Sequence, residues 1–215
     1  MRSVTRRAKR SPEGSNCTAP VRPLASAGLP RSMMGVMRIV TVLVSARGGT
    51  VTVESENGTT RVSGMIEARG TLLAMDGAES DLGKGGSVHL LGRQVGLFGD
   101  TTVNVSGVAG GGDILIGGDF QGKNPDFTNA LRTYIGKDVV LRADATDRGD
   151  GGKVIVWSDE VTRFHGSILA RGGANGGNGG FVETSGKQSL QVLGSVDTRA
   201  PYGRTGAWLL DPTNI

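Results

Sequence analysis

The chain has 215 residues, of which 37 are glycine, nine are aromatic and one is cysteine. Its net charge of +4 is unevenly distributed: residues 1–47 contain nine Lys or Arg and one acid, whereas residues 48–215 contain fifteen Lys or Arg and nineteen acids. The glycine-rich part is therefore mildly acidic, and a nucleic-acid-binding domain, which needs a basic folded surface, is not expected. With Cys17 as the single cysteine, no intrachain disulfide can form.

The basic segment 1–47 differs from the rest of the chain. Residues 1–31 contain four prolines and no hydrophobic periodicity, which predicts a disordered segment or a start that is not native to the gene. The apolar stretch 33–44 is too short for a transmembrane helix and lies too deep in the chain for a signal peptide. It is interpreted as the last strand of an incomplete first repeat, formed by Ile39, Val40, Val42 and Val44.

From residue 48 onwards a glycine-anchored pattern recurs six times. Each anchor glycine is followed, two and four residues later, by side chains that share one face of a strand, and eleven of these twelve positions are apolar. The anchors lie 37, 26, 40, 28 and 26 residues apart, and a period in this range is typical of a solenoid. They are Gly49, Gly86, Gly112, Gly152, Gly180 and Gly206.

A second block follows the anchor by 14 or 15 residues in three units, beginning at Gly64, Gly166 and Gly194. Each unit therefore holds two or three short strands and no helix of ordinary length. Units stacked strand on strand predict an all-β fold, a parallel β-helix of about six coils over residues 48–215. We expect the glycines to supply positive φ angles at coil corners, and Val154 and Val156 to point into the column.

One long insertion at 119–137 accounts for the 40-residue spacing between two anchors. It contains Phe120, Phe127 and Tyr134, a large share of the few aromatic residues. Insertions in solenoids form loops on one face, often a binding face. The interpretation favoured here is a lateral brace, with the three aromatic side chains packed on the side of the column.

Four separated motifs resemble the repeat region of filamentous-haemagglutinin-like exoproteins. They are GGGDILIGGDFQG at 110–122, GDGGKVIVWSD at 149–159, GGFVETSGK at 179–187 and WLLDPTNI at 208–215. Such exoproteins are bacterial surface adhesins exported by two-partner secretion. The resemblance covers about residues 48–215, and it implies a right-handed β-helical shaft that is secreted or held at the bacterial surface.

The resemblance also implies partners. The full-length protein would need an outer-membrane secretion partner, and the shaft would contact host or matrix glycans or surface receptors. The chain departs from the family pattern because it lacks the long signal peptide and the N-terminal secretion domain, and it stops where related chains continue. The resemblance therefore does not extend to export of this polypeptide by itself.

Three arginines recur at one place in the repeat: Arg69, Arg171 and Arg199. On stacked coils they would lie along one edge and contact acidic or sulfated glycans. The alternative is that they keep this face solvated and discourage lateral sheet pairing. No catalytic, metal or cofactor-binding residue is predicted.

The residues leave two chemical alternatives open, a polysaccharide-processing enzyme and a calcium-binding protein. Parallel β-helices also include polysaccharide lyases and hydrolases, and acids cluster near one coil, but the only histidines, His89 and His165, are 76 residues apart. The acids stand mostly in turn contexts, where Asp is favoured by its own backbone hydrogen bonds; they are Asp144, Asp147, Asp150, Asp159 and Glu160. The glycine run 172–180 lacks the acids of calcium-binding repeats, which leaves Asp147 and Asp150 as the only calcium candidates. An inert shaft of a secreted toxin is the third possibility.

Overall fold

A computed structural model describes residues 48–71 and 83–212, together with the backbone of strand Met37–Ser45. The predictions for residues 1–36, including Cys17, and for residues 213–215 lie outside the described residues. Within the described ranges the chain is almost entirely short strands and turns, as the repeat predicts. The strands in chain order are β1 (Met37–Ser45), β2 (Thr50–Glu67), β3 (Ser87–Leu97), β4 (Thr102–Asn104), β5 (Asp113–Ile116), β6 (Arg132–Ile135), β7 (Val140–Arg142), β8 (Lys153–Val156), β9 (Val161–Phe164), β10 (Ser167–Leu169), β11 (Phe181–Thr184), β12 (Ser189–Val192), β13 (Ser195–Asp197) and β14 (Ala207–Leu209).

Every strand pair is parallel, and the pairs stack into three sides of a column. The first side consists of the N-terminal parts of β2 and β3, followed by β5, β8, β11 and β14. The second side continues from residues 59–62 of β2 through 94–97 of β3 to β6, β9 and β12. The third side runs from residues 65–67 of β2 through β4, β7 and β10 to β13. The fold is therefore a parallel β-helix with three strands per coil.

The coils correspond to the units read from the sequence. Five coils have all three sides, and β14 begins a sixth. Strand β1 pairs with residues 59–67 of β2, so its backbone lies where the second and third sides of a preceding coil would be. Each of the six predicted anchors directly precedes a first-side strand. The residues that follow the anchors are β-partners on successive coils: Thr50, Ser87, Asp113, Lys153, Phe181 and Ala207.

Alternation along the strands builds one continuous apolar core inside the column. Val154 and Val156 are both 0% exposed, as predicted, and the same inward positions of β5 hold Ile114 and Ile116. Phe164 is the largest side chain that is fully buried in this core. Because a single coil has no partner for its inward side chains, this core exists only through stacking.

Positive φ angles occur at glycines between the strands, as predicted for coil corners, but the six anchors are glycine for a different reason. None of the six has a positive φ; positive values occur instead at other glycines, such as Gly110 and Gly149. A Cβ on Gly152 would lie 2.0 Å from the carbonyl oxygen of Gly112, and a Cβ on Gly180 would lie 2.1 Å from that of Gly152. The anchors are thus glycine because backbone meets backbone between successive coils.

The predicted insertion 119–137 divides into two parts. Residues 132–135 form β6 on the second side, and residues 117–131 form a loop between β5 and β6, where only 157–160 connect β8 to β9. We call residues 117–131 the insertion loop. Its one helical element is a short 3₁₀ turn at Phe120–Gly122. Within the described residues no helix is long and apolar enough to span a membrane.

The glycine contacts yield a stability prediction. Gly152→Ala should destabilise the column by about 2 kcal/mol or more, because the clash is with backbone that is fixed by stacking on both sides. Gly136→Ala is the matched control, since its Cβ would meet nothing closer than 3.2 Å and its φ is not in the left-handed region. Denaturant unfolding of both variants measures the difference; equal losses would contradict the close-approach explanation.

Candidate functional site

The insertion loop covers the outward row of the first side. Leu115 and Ile155 point away from the column, yet they are only 3% and 0% exposed. They form a second apolar cluster with Trp157, against which Phe127 and Phe181 pack. The loop is therefore packed on the side of the column, which agrees with the predicted brace for Phe127.

Aromatic contacts extend this packing at both edges of the loop. The Phe127 ring meets His89 edge-on at 5.1 Å, and the Phe120 ring meets Phe181 edge-on at 5.7 Å. Phe120 itself remains 42% exposed. Burial lowers the pKa of His89, with opposing effects from the nearby acids Asp113 and Asp119. A histidine held in this way favours the neutral form at physiological pH.

Three glycines of the motif at 110–122 fit the loop to the Trp157 indole. Gly117 and Gly122 have φ angles of 73° and 61°, and Gly118 has 149°. A Cβ at Gly122 would lie 2.5 Å from the indole Nε1, and one at Gly118 would lie 2.9 Å from Cδ1. The indole N–H donates to Asp159 Oδ1 at 3.1 Å.

Asp119 fixes the start of the loop. Its carboxylate accepts from the Phe120 N–H at 2.7 Å, from Asn124 Nδ2 at 2.8 Å and from Lys153 Nζ at 3.2 Å. Burial works against ionisation, but these hydrogen bonds outweigh it and lower the pKa of Asp119. The carboxylate is thus a charged anchor for the turn.

Glu183 is the acid in this region that sequence reasoning missed. It occupies the same outward row as Leu115 and Ile155 and is 0% exposed under the loop. Its Oε2 accepts from the Gln121 N–H at 3.1 Å, while Oε1 has no hydrogen-bond partner. Burial, with smaller contributions from the charges of Asp211 and Asp119, raises the pKa of Glu183. Gln121 has a φ of 53°, the one positive value among described non-glycine residues.

The predicted arginine row lies at the end of the third side. Backbone hydrogen bonds between successive coils fix this alignment: the N–H groups of Gly70, Gly107, Ala145 and Gly172 donate to the carbonyls of Ser106, Asp144, Arg171 and Arg199, respectively. The row therefore runs Arg69, Ser106, Asp144, Arg171 and Arg199. Arg171 binds Asp144 through two parallel bonds, Nε to Oδ1 and Nη2 to Oδ2, each 3.0 Å.

The next arginine of the row has its own carboxylate. Arg199 binds Asp197 through bonds of 2.9 and 2.8 Å, and this contact lowers the pKa of Asp197 to about 2. The hydrogen bonds to Asp144 likewise raise the pKa of Arg171. The structure therefore aligns the three arginines as predicted, but it places Arg171 and Arg199 in ion pairs, whereas Arg69 is exposed.

The acids considered for catalysis or calcium are divided between different parts of the surface. Asp147 accepts from Asn175 Nδ2, and Asp150 accepts from the backbone and side chain of Asn178, in loops stacked at the glycine corner. Asp159 and Glu160 lie between β8 and β9, and Glu160 binds Arg132 at 3.1 Å. Among the described residues, no three His, Cys, Asp or Glu side chains are grouped as a metal site would require.

One open groove of about 740 Å³ follows the glycine corner along the column. Bare backbone forms most of its floor, since Gly111, Gly151 and Gly179 line it. Its charged residues are Lys84, Asp113, Asp150 and Lys153. The charged part of its lining thus consists of two acids and two bases.

Comparison with known proteins finds similarity to solved structures and to no known family. No protein-family model matches the chain, and no curated protein matches it. The chain is similar to the crystal structure of the HMW1 secretion domain from Haemophilus influenzae, with a TM-score of 0.61 and 26% sequence identity. The match covers 80% of this chain and 42% of that one, so the chain spans less than half of the protein it matches.

Glu183 gives a pH prediction. Because its folded-state pKa is raised, its contribution to stability is fully present below the unfolded value of about 4.3 and is lost as pH rises through the folded pKa. Glu183→Gln cannot ionise, so its free energy of unfolding relative to the wild type should increase between pH 4 and pH 8. Urea unfolding across this range tests the idea, and a difference that stays constant with pH would refute it.

Arg171 gives a second prediction for this surface. From its sequence position Arg171→Ser is expected to cost about 0.5 kcal/mol or less, but the contact with the 6%-exposed Asp144 side chain changes this value. We now expect a cost of about 1 kcal/mol, after allowing for solvent screening of the half-exposed guanidinium. Arg199→Ser is the control and should cost less, because the Arg199 side chain is 81% exposed. Thermal melts of both variants provide the comparison.

Proposed function

We propose that this chain is a structural and adhesive segment of a secreted bacterial exoprotein of the filamentous-haemagglutinin-like, two-partner-secretion class. The observation that carries the proposal is the parallel β-helix, together with its similarity to the HMW1 secretion domain. The described residues of the four sequence motifs that resemble such exoproteins lie in first-side strands or in the segments next to them, so the resemblance and the fold concern the same part of the chain.

The proposed partners follow from this class. An outer-membrane secretion partner would export the full-length protein, and the surface of the folded column would contact host or matrix glycans or receptors. A parallel β-helix suits export in extended form, because each coil pairs mainly with its neighbour and can add to the stack in sequence.

A second candidate function is favoured by the similarity itself. The sequence alone was interpreted as shaft without a secretion domain, whereas the matched protein is a secretion domain. In this second candidate function, part of the column is the segment that the outer-membrane partner recognises. Both candidates share the secretion pathway and differ in whether the column is needed for export or only for adhesion.

We also propose that the column acts without catalysis, against the alternative of a polysaccharide-processing enzyme. Catalysis needs an acid and a base within hydrogen-bond reach of one substrate. Asp144, Asp147 and Asp150 are instead used by Arg171, Asn175 and Asn178. The inert shaft of a toxin shares this architecture and differs from the adhesive segment only in lacking a ligand.

The secretion proposal predicts that the protein is found outside the cell or on its surface. In the source organism, antibody against this chain should detect it in the culture medium or on intact cells, and loss of the outer-membrane transporter should remove that signal. Replacing residues 48–212 by an unrelated β-helix separates the two candidates: continued export indicates a shaft, and lost export indicates a secretion role. Retention inside cells with the transporter present would contradict both.

The absence of catalysis is tested separately. The purified chain should release no reducing ends and no unsaturated products from pectin, alginate or glycosaminoglycans over a prolonged incubation. Product formation that disappears in Asp150→Asn, whose carboxylate lines the groove, would establish the enzyme instead. Asp138→Asn serves as the control because Asp138 is exposed at a different corner.

A further inference from the structure

The second side of the column has a charge that the whole-chain sum conceals. Its five strand segments, at 59–62, 94–97, 132–135, 161–164 and 189–192, contain three arginines and no acid. The first-side and third-side strands contain acids as well as bases. The arginines are Arg61, Arg132 and Arg163, and Arg93 adjoins the side at its edge. All four are exposed and they belong to four successive coils.

Among the described residues, the only acid that directly adjoins these segments in sequence is Glu160, which precedes β9 and binds Arg132.

The strand register fixes how the arginines lie relative to one another. Arg163 is the β-partner of Tyr134, and Arg132 is the β-partner of Gln94. Since stacked strands are about 4.8 Å apart, arginines on the first and fourth coils are separated by about 14 Å along the axis. The positive charge thus forms a stripe parallel to the column. We call Arg61, Arg93, Arg132 and Arg163 the arginine stripe.

Aromatic rings between the arginines hold part of this stripe in place. The Arg61 guanidinium lies over the Phe98 ring at 4.5 Å, and the other neighbour of that ring is Tyr134, stacked at 5.2 Å. Tyr134 then meets His165 edge-on at 5.6 Å. Phe98 can lie in this row because Gly96 has no side chain: a Cβ there would be 2.5 Å from the ring.

These contacts decide what kind of ligand fits. Phe98 is already in contact with the Arg61 guanidinium and the Tyr134 ring, and it is only partly exposed. Single-stranded nucleic acid binds proteins by stacking bases on free aromatic faces, so this row is a poor platform for it. Guanidinium groups bind carboxylate and sulfate through two parallel hydrogen bonds. The exposed arginines of the stripe therefore favour closely spaced anions.

We infer that the arginine stripe binds a linear acidic polysaccharide, bearing carboxylate or sulfate groups, that lies along the column axis. A polymer is required because arginines on separate coils cannot all contact one small anion. This inference rests on the adhesive part of the proposed function and names its ligand class. The third-side row is the weaker surface for the same ligand, because Asp144 and Asp197 already neutralise two of its arginines.

The test compares two triple variants of the full chain that lose the same charge. Variant R61Q/R132Q/R163Q removes most of the stripe, and variant R69Q/R171Q/R199Q removes the third-side row. The basic segment 1–47 is present in both, so its contribution to polyanion binding is constant. Heparin is the probe, neutral dextran is the uncharged control, and oligo-dT is the nucleic-acid control. Circular dichroism and thermal melts establish that each variant is folded.

We expect the stripe variant to bind heparin about tenfold more weakly and with a smaller dependence on salt, while the third-side variant changes by less than about threefold. Dextran should not bind. Equal losses in the two variants, or a loss only in the third-side variant, would overturn the inference. So would oligo-dT binding that is as tight as heparin binding and equally sensitive to the stripe.

If the triple variant does not fold, Arg163→Gln alone replaces it and Arg204→Gln, an exposed arginine in the last described corner, is its control. A weaker but selective loss of heparin affinity in Arg163→Gln supports the stripe, and no loss refutes it. Export of the protein is measured independently, so failure of heparin binding leaves the secretion experiment unaffected and the two proposals can fail separately.

Discussion

The whole column depends on backbone-to-backbone contact at one corner of each coil. There the anchor N–H donates to the carbonyl that ends the third side, as Gly152 does to Ala143 and Gly180 does to Ala170 at 2.7 Å. The next residue donates to the anchor of the preceding coil, as Lys153 does to Gly112 at 3.0 Å. A side chain on the anchor would occupy the space of these bonds. Because the corner repeats, every first-side strand starts in the same register.

Because all coils share one register, inward and outward side chains alternate in the same way in every coil. Inward residues then always meet inward residues, which produces one core from Val51 to Val182 without any coil having a core of its own. Outward residues face neighbours on the adjacent coils in the same way, so they form rows along the axis. Each row can acquire a chemical character of its own, while the corner and the core remain unchanged.

The sequence predicted the features that depend on this repetition. Anchor spacing and two-residue alternation were enough to predict the parallel strands, the inward valines and the start of each coil. Positive φ was predicted for glycines at coil corners and occurs at Gly110 and Gly149, but the close approach at the anchors was not predicted. A glycine pattern does not distinguish a left-handed turn from a close approach. Glu183 could not be recognised as buried, since its outward position is covered only by a loop sixty residues away in sequence. Ion pairs such as Arg171 with Asp144 join successive coils and have no local signature.

The same geometry explains why net charge is a poor guide to the function of this fold. An average over residues 48–215 mixes three surfaces that face different directions, and a ligand meets only one of them. On the first side the insertion loop replaces solvent as the neighbour of the outward row. On the third side arginine and aspartate neutralise each other at short range. On the second side arginine charge is left exposed on strands that contain no acid, so recognition of an anionic partner is expected there, even though the repeat region as a whole is acidic.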